Sequence, residues 1–449
     1  MSIARKLRRD MLSYYDWLHR EYGDMVCMRL GPYRYYVAYH PDQVKELLVT
    51  KAKSFHMSPT VRRVIAQWDG NGLITSEGDF WLRQRRLMQP AFSARRFNGY
   101  AQMMTDEVQR VADRWAQQIE TNGVLEVDVD RAMTDLTLSI VSRTLFGADL
   151  ELNTAEIGRA VAVLSETAVR EMQAPVHTPD WLPTTAKRKK RWASRLLDET
   201  VRGFIRHRRA SGEDRGDLLS MLLLAVDHEG GSGGMTDEQA RDECMTLFLA
   251  GHDTSAAGLT WTFYNLAKHP AVAKRLQDEV DTVLGGRTPG YDDLPDLPFT
   301  EMVVKEAVRL YPPAIGVFLR EALEEVVIGG YPLRKGDLIQ VISYVIHRDP
   351  RWFPDPLRFD PERFSPDRVE EIPQFAYFPF GGGPRVCIGS HFAMMEMRLV
   401  AAMLLQRFDV RLADHQGEVQ LLPQMSLRPR GGLRLTFSRR AEVPAVAMA

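Results

Sequence analysis

The sequence predicts a mainly α fold with small β-sheets (α+β), built as one domain over residues 1–449. Three observations predict it. Apolar side chains recur at helical spacing from about residue 78 to residue 310, strict alternation is confined to short segments nearer the ends, and no shift of composition marks a linker. Length alone would permit about three domains of ordinary size, but neither an internal repeat nor a low-complexity tract divides the chain. Taken in order, "MVCMRLG" and "RYYVAYH" alternate and predict a small antiparallel sheet within a β-rich region from about 20 to 75. Helices follow, interrupted by the loops "RASGEDRGD" (209–217) and "DHEGGSGGM" (227–235), the second loosened by its glycines. "YPLRKGDLIQVISY" returns to strand character, and "RWFPDPLRFDPERFSPD" is proline-punctuated coil. After a last helix, "FDVRL" and "LRLTF" finish as strands.

Bulk properties remove several function classes. A formal net charge of −1 gives no reason to expect nucleic acid as a partner. Three cysteines, Cys27, Cys244 and Cys387, contain no C-x-x-C spacing, which argues against a disulfide framework and a structural zinc and for a reducing compartment. The basic start "MSIARKLRRDML" lacks a following apolar h-region, and no run reaches the roughly 18 apolar residues of a membrane span. The expectation is a cytoplasmic, unanchored protein.

The stretch "FPFGGGPRVCIGSHF" (378–392) sets the chemical question. Ile388, Phe392, Met395, Leu399 and Met403 follow at helical spacing, so Cys387 lies at or just before a helix N-terminus. Such a position favours negative charge and is expected to lower the thiol's pKa. The glycines let backbone approach something flat or bulky. A phosphate-binding loop is excluded, since no Gly-Lys-Ser/Thr ending is present. A cysteine phosphatase is excluded too, because Ala393 stands where its arginine would be. A zinc pair with His391 lacks two further ligands. A buried structural cysteine explains the residue but not the pattern around it. A haem plane explains both, with glycines for approach, a thiolate for the axial bond and an arginine for a propionate.

Two further patterns carry chemistry. "TDEQ" reads as a capping box opening a helix from about Thr236 to Lys268, on the order of 50 Å long. Its apolar middle holds Gly251, His252, Asp253 and Thr254. An acid beside a hydroxyl in a dry groove suits proton delivery, whereas a local kink with hydroxyl-to-backbone bonding is the plainer account. In "FTEMVVKEAVRLYPP", Glu306 and Arg309 share a helix face, and Arg363 of "FDPERF" offers Glu306 a second guanidinium. One carboxylate between two arginines predicts a buried structural network that fixes a long coil.

E-x-x-R, P-E-R-F and F-x-x-G-x-R-x-C-x-G, preceded by A-G-x-D-T on a long helix, occur in one order along nearly the whole chain. In this the sequence resembles the cytochrome P450 haem-thiolate monooxygenases. The resemblance implies a P450-like fold, a long central helix over a buried haem b, and Cys387 as the proximal iron ligand. It implies Phe380 packed against that ligand, with Gly383 and Gly389 leaving room for the ring. Trp81 and Arg85 of "GDFWLRQRR", with Arg320 and Arg385, match the usual propionate partners. Asp253 and Thr254 match the acid–alcohol pair that orders water and delivers protons. The pocket walls would include Val61, Val64, Ile65, Leu73, Phe248, Ala250, Ile315, Val317, Phe318 and Ser426. Their apolar character suits a fatty acid, terpenoid, steroid or macrolide.

The implied reaction inserts one atom of O2 into an apolar small molecule. Two electrons would come from a separate ferredoxin or flavodoxin with its NAD(P)H-dependent reductase, docked near Arg83, Arg86, Arg95 and Arg96 on a monomer. A haem-thiolate isomerase or dehydratase, or a peroxide-driven peroxygenase, would need no such carrier and stays open as an alternative. The basic run "KRKKRW" (187–192) reads as a solvated helix face.

Overall fold

A computed structural model describes residues 7, 10–147, 154–172, 174, 179, 181–215, 217–224, 226, 227 and 233–440. The principal helices are α1 (Met11–Tyr22), α2 (Pro59–Asp69), α3 (Gly78–Met88), α4 (Ala94–Asn122), α5 (Val129–Phe146) and α6 (Thr154–Met172). They continue with α7 (Thr185–Ser211), α8 (Asp237–Lys268), α9 (Pro270–Leu284), α10 (Pro298–Leu310) and α11 (Ser390–Arg407). The strands used below are β1 (Met25–Leu30), β2 (Tyr33–Ala38), β3 (Phe55–Met57), β4 (Val124–Asp128), β5 (Arg320–Ala322) and β6 (Leu338–Val341). Toward the C-terminus come β7 (Phe408–Leu412), β8 (Leu421–Pro423), β9 (Leu427–Pro429) and β10 (Arg434–Arg439). The predicted class, mainly helical with small sheets, is the one observed.

Local chemistry explains the ends of the helices. Asp10, Asp128 and Thr184 accept from backbone amides in the first turns of α1, α5 and α7. Proline occupies the first turn of α2, α9 and α10, where its missing N–H costs nothing. The loop expected at 209–217 starts late, because α7 continues to Ser211 and stops at Gly212 with φ +64°. Residues 216 and 228–232 of the two predicted loops lie outside the described residues.

The N-terminal strands β1, β2 and β3 join β5 and β6, from much later in the chain, in a five-stranded sheet of order β1-β2-β6-β5-β3. β1 and β2 pair antiparallel from Met25↔Ala38 to Leu30↔Tyr33, as their alternation predicts, and β6 lies parallel to β2. A second sheet, β7-β10-β4, joins the C-terminal strands to the middle of the chain, and β8 and β9 form an antiparallel hairpin. No described helix is long and apolar enough to cross a membrane.

Helix α8 is the axis of the helical part. Thr236 accepts from Gln239 N (3.2 Å) while Gln239 Oε1 accepts from Thr236 N (3.0 Å), which closes the predicted capping box. Its 32 residues are buried almost all round, including Cys244, Phe248, Trp261 and Phe263, as a helix enclosed by others must be. Two glycines set how closely its neighbours approach. A Cβ at Gly251 would lie 3.2 Å from Val141 of α5, and one at Gly258 only 2.5 Å from the Met397 sulfur of α11. Small residues here let two helices, α5 and α11, converge on one stretch of α8.

Candidate active site

The cysteine loop is tied down on both sides. Cys387 N donates to Phe380 O (3.0 Å), Val386 N donates to Gly383 O (3.1 Å), and Arg85 Nη1 donates to Val386 O (2.9 Å). Helix α11 begins three residues later, with Gly389 as its cap. Gly383 is required for a different reason from the one expected. With φ +67°, a Cβ there would overlap the Leu48 carbonyl oxygen, so this glycine seats the loop on the 46–50 turn and does not line the cavity. The thiol also departs from expectation. The Cys387 side chain is open to the cavity in front of it, yet the protein packed around it desolvates the thiol and raises its pKa, and the Gly389 amide and Arg85 pull it only part of the way back. Desolvation outweighs the helix N-terminus, and a thiolate here calls for a cation facing it.

A cavity of about 340 Å³ opens in front of Cys387. Of the residues named from the sequence, Trp81, Arg85, Arg320, Arg385, Phe380, Gly389, Leu73, Ala250, Thr254, Val317 and Phe318 line it. Val61, Val64 and Ile65 instead pack into the core beneath α2, and Phe248 packs against Phe146. Ile315 is not in the wall, although its carbonyl accepts from Tyr344 N (3.0 Å). The wall also includes Phe92, Val141, Leu145, Thr246, Ser255 and Met397, none of which stood out in the sequence.

Cations gather at one side of this cavity. Arg385 Nη2 donates to Ser76 O (2.7 Å), pairs with Glu77, and stacks over Trp81 with its guanidinium 4.6 Å from the ring. Arg320 has no hydrogen-bond or ion-pair partner among the described residues. Burial, then the neighbouring Arg385, pulls its pKa down to about 10. Glu77 offsets this only in part, and a desolvated guanidinium without a bonded counter-charge is costly. A flat dianion with a metal at its centre answers both demands, one from Arg320 and one from the Cys387 sulfur. The residues present therefore fit a haem. Among the described residues, no group of three or more His, Cys, Asp or Glu side chains could hold a metal ion.

On the far wall, Thr254 donates its hydroxyl to Ala250 O (2.7 Å), one turn back on α8. Asp253 does not line the cavity. Its carboxylate accepts from Arg428 Nη2 (2.6 Å) and from the Ser426 hydroxyl, both on the segment 426–428. Ser426, expected in the pocket wall, is buried beneath it as a partner of this acid. Burial alone would raise the Asp253 pKa, but Arg428 holds it below the ordinary range. Arg428 also reaches Asp130 Oδ1 (2.7 Å) and Thr134 (3.2 Å) on α5.

The third constellation lies behind the cysteine loop. Arg309 grips Glu306 through two hydrogen bonds (2.7 and 2.8 Å), and Arg363 Nε lies 3.4 Å from the same carboxylate. Arg309 also donates to His347 O (2.6 Å) and Arg358 O (3.3 Å), and Asp360 N donates to Glu306 (2.9 Å). All three side chains are buried. The network thus fastens the proline-rich coil to α10.

Comparison with known proteins agrees with this geometry. Residues 2–437 match the sequence profile described as cytochrome P450. The chain is 37% identical to cyclooctatin synthase of Streptomyces melanosporofaciens, over 94% of this chain and 89% of that protein. It is 35% identical to pentalenene oxygenase of Streptomyces avermitilis, over 87% and 84% respectively. The heme domain of cytochrome P450DA superposes with a TM-score of 0.86 at 28% identity, covering 96% of this chain and 93% of that one.

Proposed function

The chain belongs to the cytochrome P450 family and is a haem-dependent monooxygenase; from that premise we propose that it oxygenates a terpenoid, with Cys387 holding the iron of haem b. The single observation that carries the site is one cavity that joins the Cys387 thiol to Arg320, a guanidinium with no bonded counter-charge. Haem, when bound, supplies the activation of O2. Arg320 and Arg385, with Arg85 and the Trp81 indole, would hold its propionates, and Phe380 and Gly389 would border the sulfur. The cavity wall is otherwise apolar, with Leu73, Ile74, Val141, Leu145, Leu247, Val317 and Phe318. Those surfaces bind hydrocarbon and exclude water. The two Streptomyces relatives, one of them named for pentalenene, favour terpenoids over fatty acids, steroids and macrolides.

Thr254 presents a hydroxyl to the cavity, where it can hold a water and pass a proton. Asp253 acts from behind it as an anion fixed by Arg428. An acid–alcohol pair of this kind favours O2 with two electrons over peroxide. Those electrons would come from a ferredoxin or flavodoxin with its reductase, an acidic carrier meeting the exposed Arg86 and Arg95 of a monomeric enzyme.

The test is the Soret spectrum of haem-replete protein, titrated with terpenes, steroids, macrolides and fatty acids. A low-to-high-spin shift with terpenoids, and loss of the thiolate spectrum in Cys387→Ser, are expected. A thiolate spectrum surviving that substitution would overturn the ligand assignment. A shift produced by another substrate class alone would overturn the terpenoid reading.

A further inference from the structure

The loop between α2 and α3 carries two side chains of the cavity wall, Leu73 and Ile74. It is fastened to the first turns of α8 by three acids. Asn71 N donates to Asp242 Oδ2 (2.8 Å), and Leu73 N donates to Glu243 Oε2 (2.9 Å). From the other side, Thr246 Oγ1 donates to Asp69 Oδ1 (2.8 Å) at the end of α2. The fit has no slack. At Gly70, with φ +73°, a Cβ would overlap the Asp242 carboxylate, and at Gly72 it would overlap the Thr246 hydroxyl. Opening the loop therefore means breaking these bonds.

Few cations face this trio. Arg241 bonds to Asp242 (2.9 Å), but also to Asp198 of α7 (2.7 Å) and to Trp68 O (3.0 Å). Asp198 is shared with Arg202, and Lys190 of α7 is taken by Gln67 and Glu171. The neighbouring Cys244 thiol is buried and stays neutral. Asp69 Oδ2 is buried without a close hydrogen-bond partner among the described residues, with the Thr75 hydroxyl near this carboxylate.

We propose that Asp69 and Glu243 form a proton-dependent clamp beside the Asp242 tie, which holds the Leu73–Ile74 wall against α8 when the two are protonated and frees it when they ionise. The proposal rests on reading the cavity as the substrate site and says what governs access to it. Its direction follows from linkage. Burial pushes Asp69 up to about 7 and Glu243 up to about 8, and the neighbouring acids add to both shifts. Once the loop lifts, these carboxyls meet water and recover ordinary acidity. Between the ordinary carboxylate range and about pH 7 to 8, the open form binds fewer protons than the closed one. Rising pH therefore favours opening, by about tenfold per pH unit for each proton released, and the effect levels off above the higher value.

Hydrogen exchange on the whole protein tests the clamp without substrate. After correction for intrinsic rates, the amides of Asn71 and Leu73 should lose at least tenfold protection between pH 5.5 and 7.5, with α4 unchanged. Uptake of the uncharged dye nile red should quicken over the same interval. In Asp69→Asn/Glu243→Gln, whose amides mimic the protonated acids, both pH dependences should vanish. Constant protection of the loop in wild type, loss spread equally through α4, or a pH dependence surviving in the double variant would each overturn the clamp. A failed spectral titration with terpenes would bear on the terpenoid reading alone, because exchange needs neither haem nor substrate.

Discussion

Two acids flank the hydroxyls of Thr254 and Ser255, and they are kept in opposite states. Residues 253 and 255 point about 200° apart on a helix of 3.6 residues per turn, so Asp253 meets the 426–428 segment while Ser255 meets α11. There the Ser255 hydroxyl faces Glu396, which is wholly buried. Burial pushes Glu396 up to about 8, with Ser255 pulling it partly back. Asp253 lies below its ordinary range because Arg428 stands against it. Depth separates the two sites only in part, with Glu396 fully buried and the Asp253 side chain 18% exposed. The larger difference is the Arg428 guanidinium, which gives an anion on one side of the cavity wall and a neutral acid on the other.

The largest break in this comparison should come from Arg428→Met, which leaves Asp253 and Asp130 without their shared cation. Removing one partner of a buried pair costs about 3–5 kcal/mol. Urea denaturation at pH 7 measures it, and a loss below about 1 kcal/mol would show that the charge is not held in this way. Asp253→Asn is milder, because Arg428 keeps Asp130; about 1.5–3 kcal/mol is expected from the lost charged hydrogen bonds.

Glu396→Gln sharpens the contrast through pH. The wild-type stability owed to protonated Glu396 is fully present below its unfolded value of 4.5 and is lost as pH rises through about 8. The variant should thus show a shallower fall in unfolding free energy between pH 5 and 8, and exceed wild type by roughly 1–3 kcal/mol at pH 9. Parallel pH profiles would refute the neutral-acid assignment. Ser255→Ala should have the smallest effect, within about 0.5 kcal/mol. It removes the hydroxyl that lowers the Glu396 pKa, so the infrared band of the protonated acid should persist to higher pH than in wild type.

The sequence was most legible where the physics is local. The α8 cap is written in four consecutive residues, and the cysteine loop in about ten. The Glu306–Arg309 pair follows from helical spacing alone. Val61, Val64, Ile65 and Phe248 were misplaced in the cavity wall because an apolar stripe looks the same whether it faces a core or a cavity. Ser426 was placed in the wall, and Arg428 passed over, because their meeting with Asp253 spans more than 170 residues. Glu396 did leave a signal, a lone acid within "FAMMEMRLV". The thiol's raised pKa had none, since desolvation belongs to the assembled cavity.

The bridge from Arg428 to α8 and α5 also bears on the order in which the protein can be made. Arg428 follows Asp253 by 175 residues and Asp130 by 298, and at about 5–20 residues per second it is synthesised roughly 10–35 s after Asp253. Throughout that interval the middle of α8 carries an acid whose counter-charge does not yet exist. A nascent chain must keep Asp253 wet or protonated, and so cannot close its central helix early. Assembly of the cavity therefore waits for the segment 426–428.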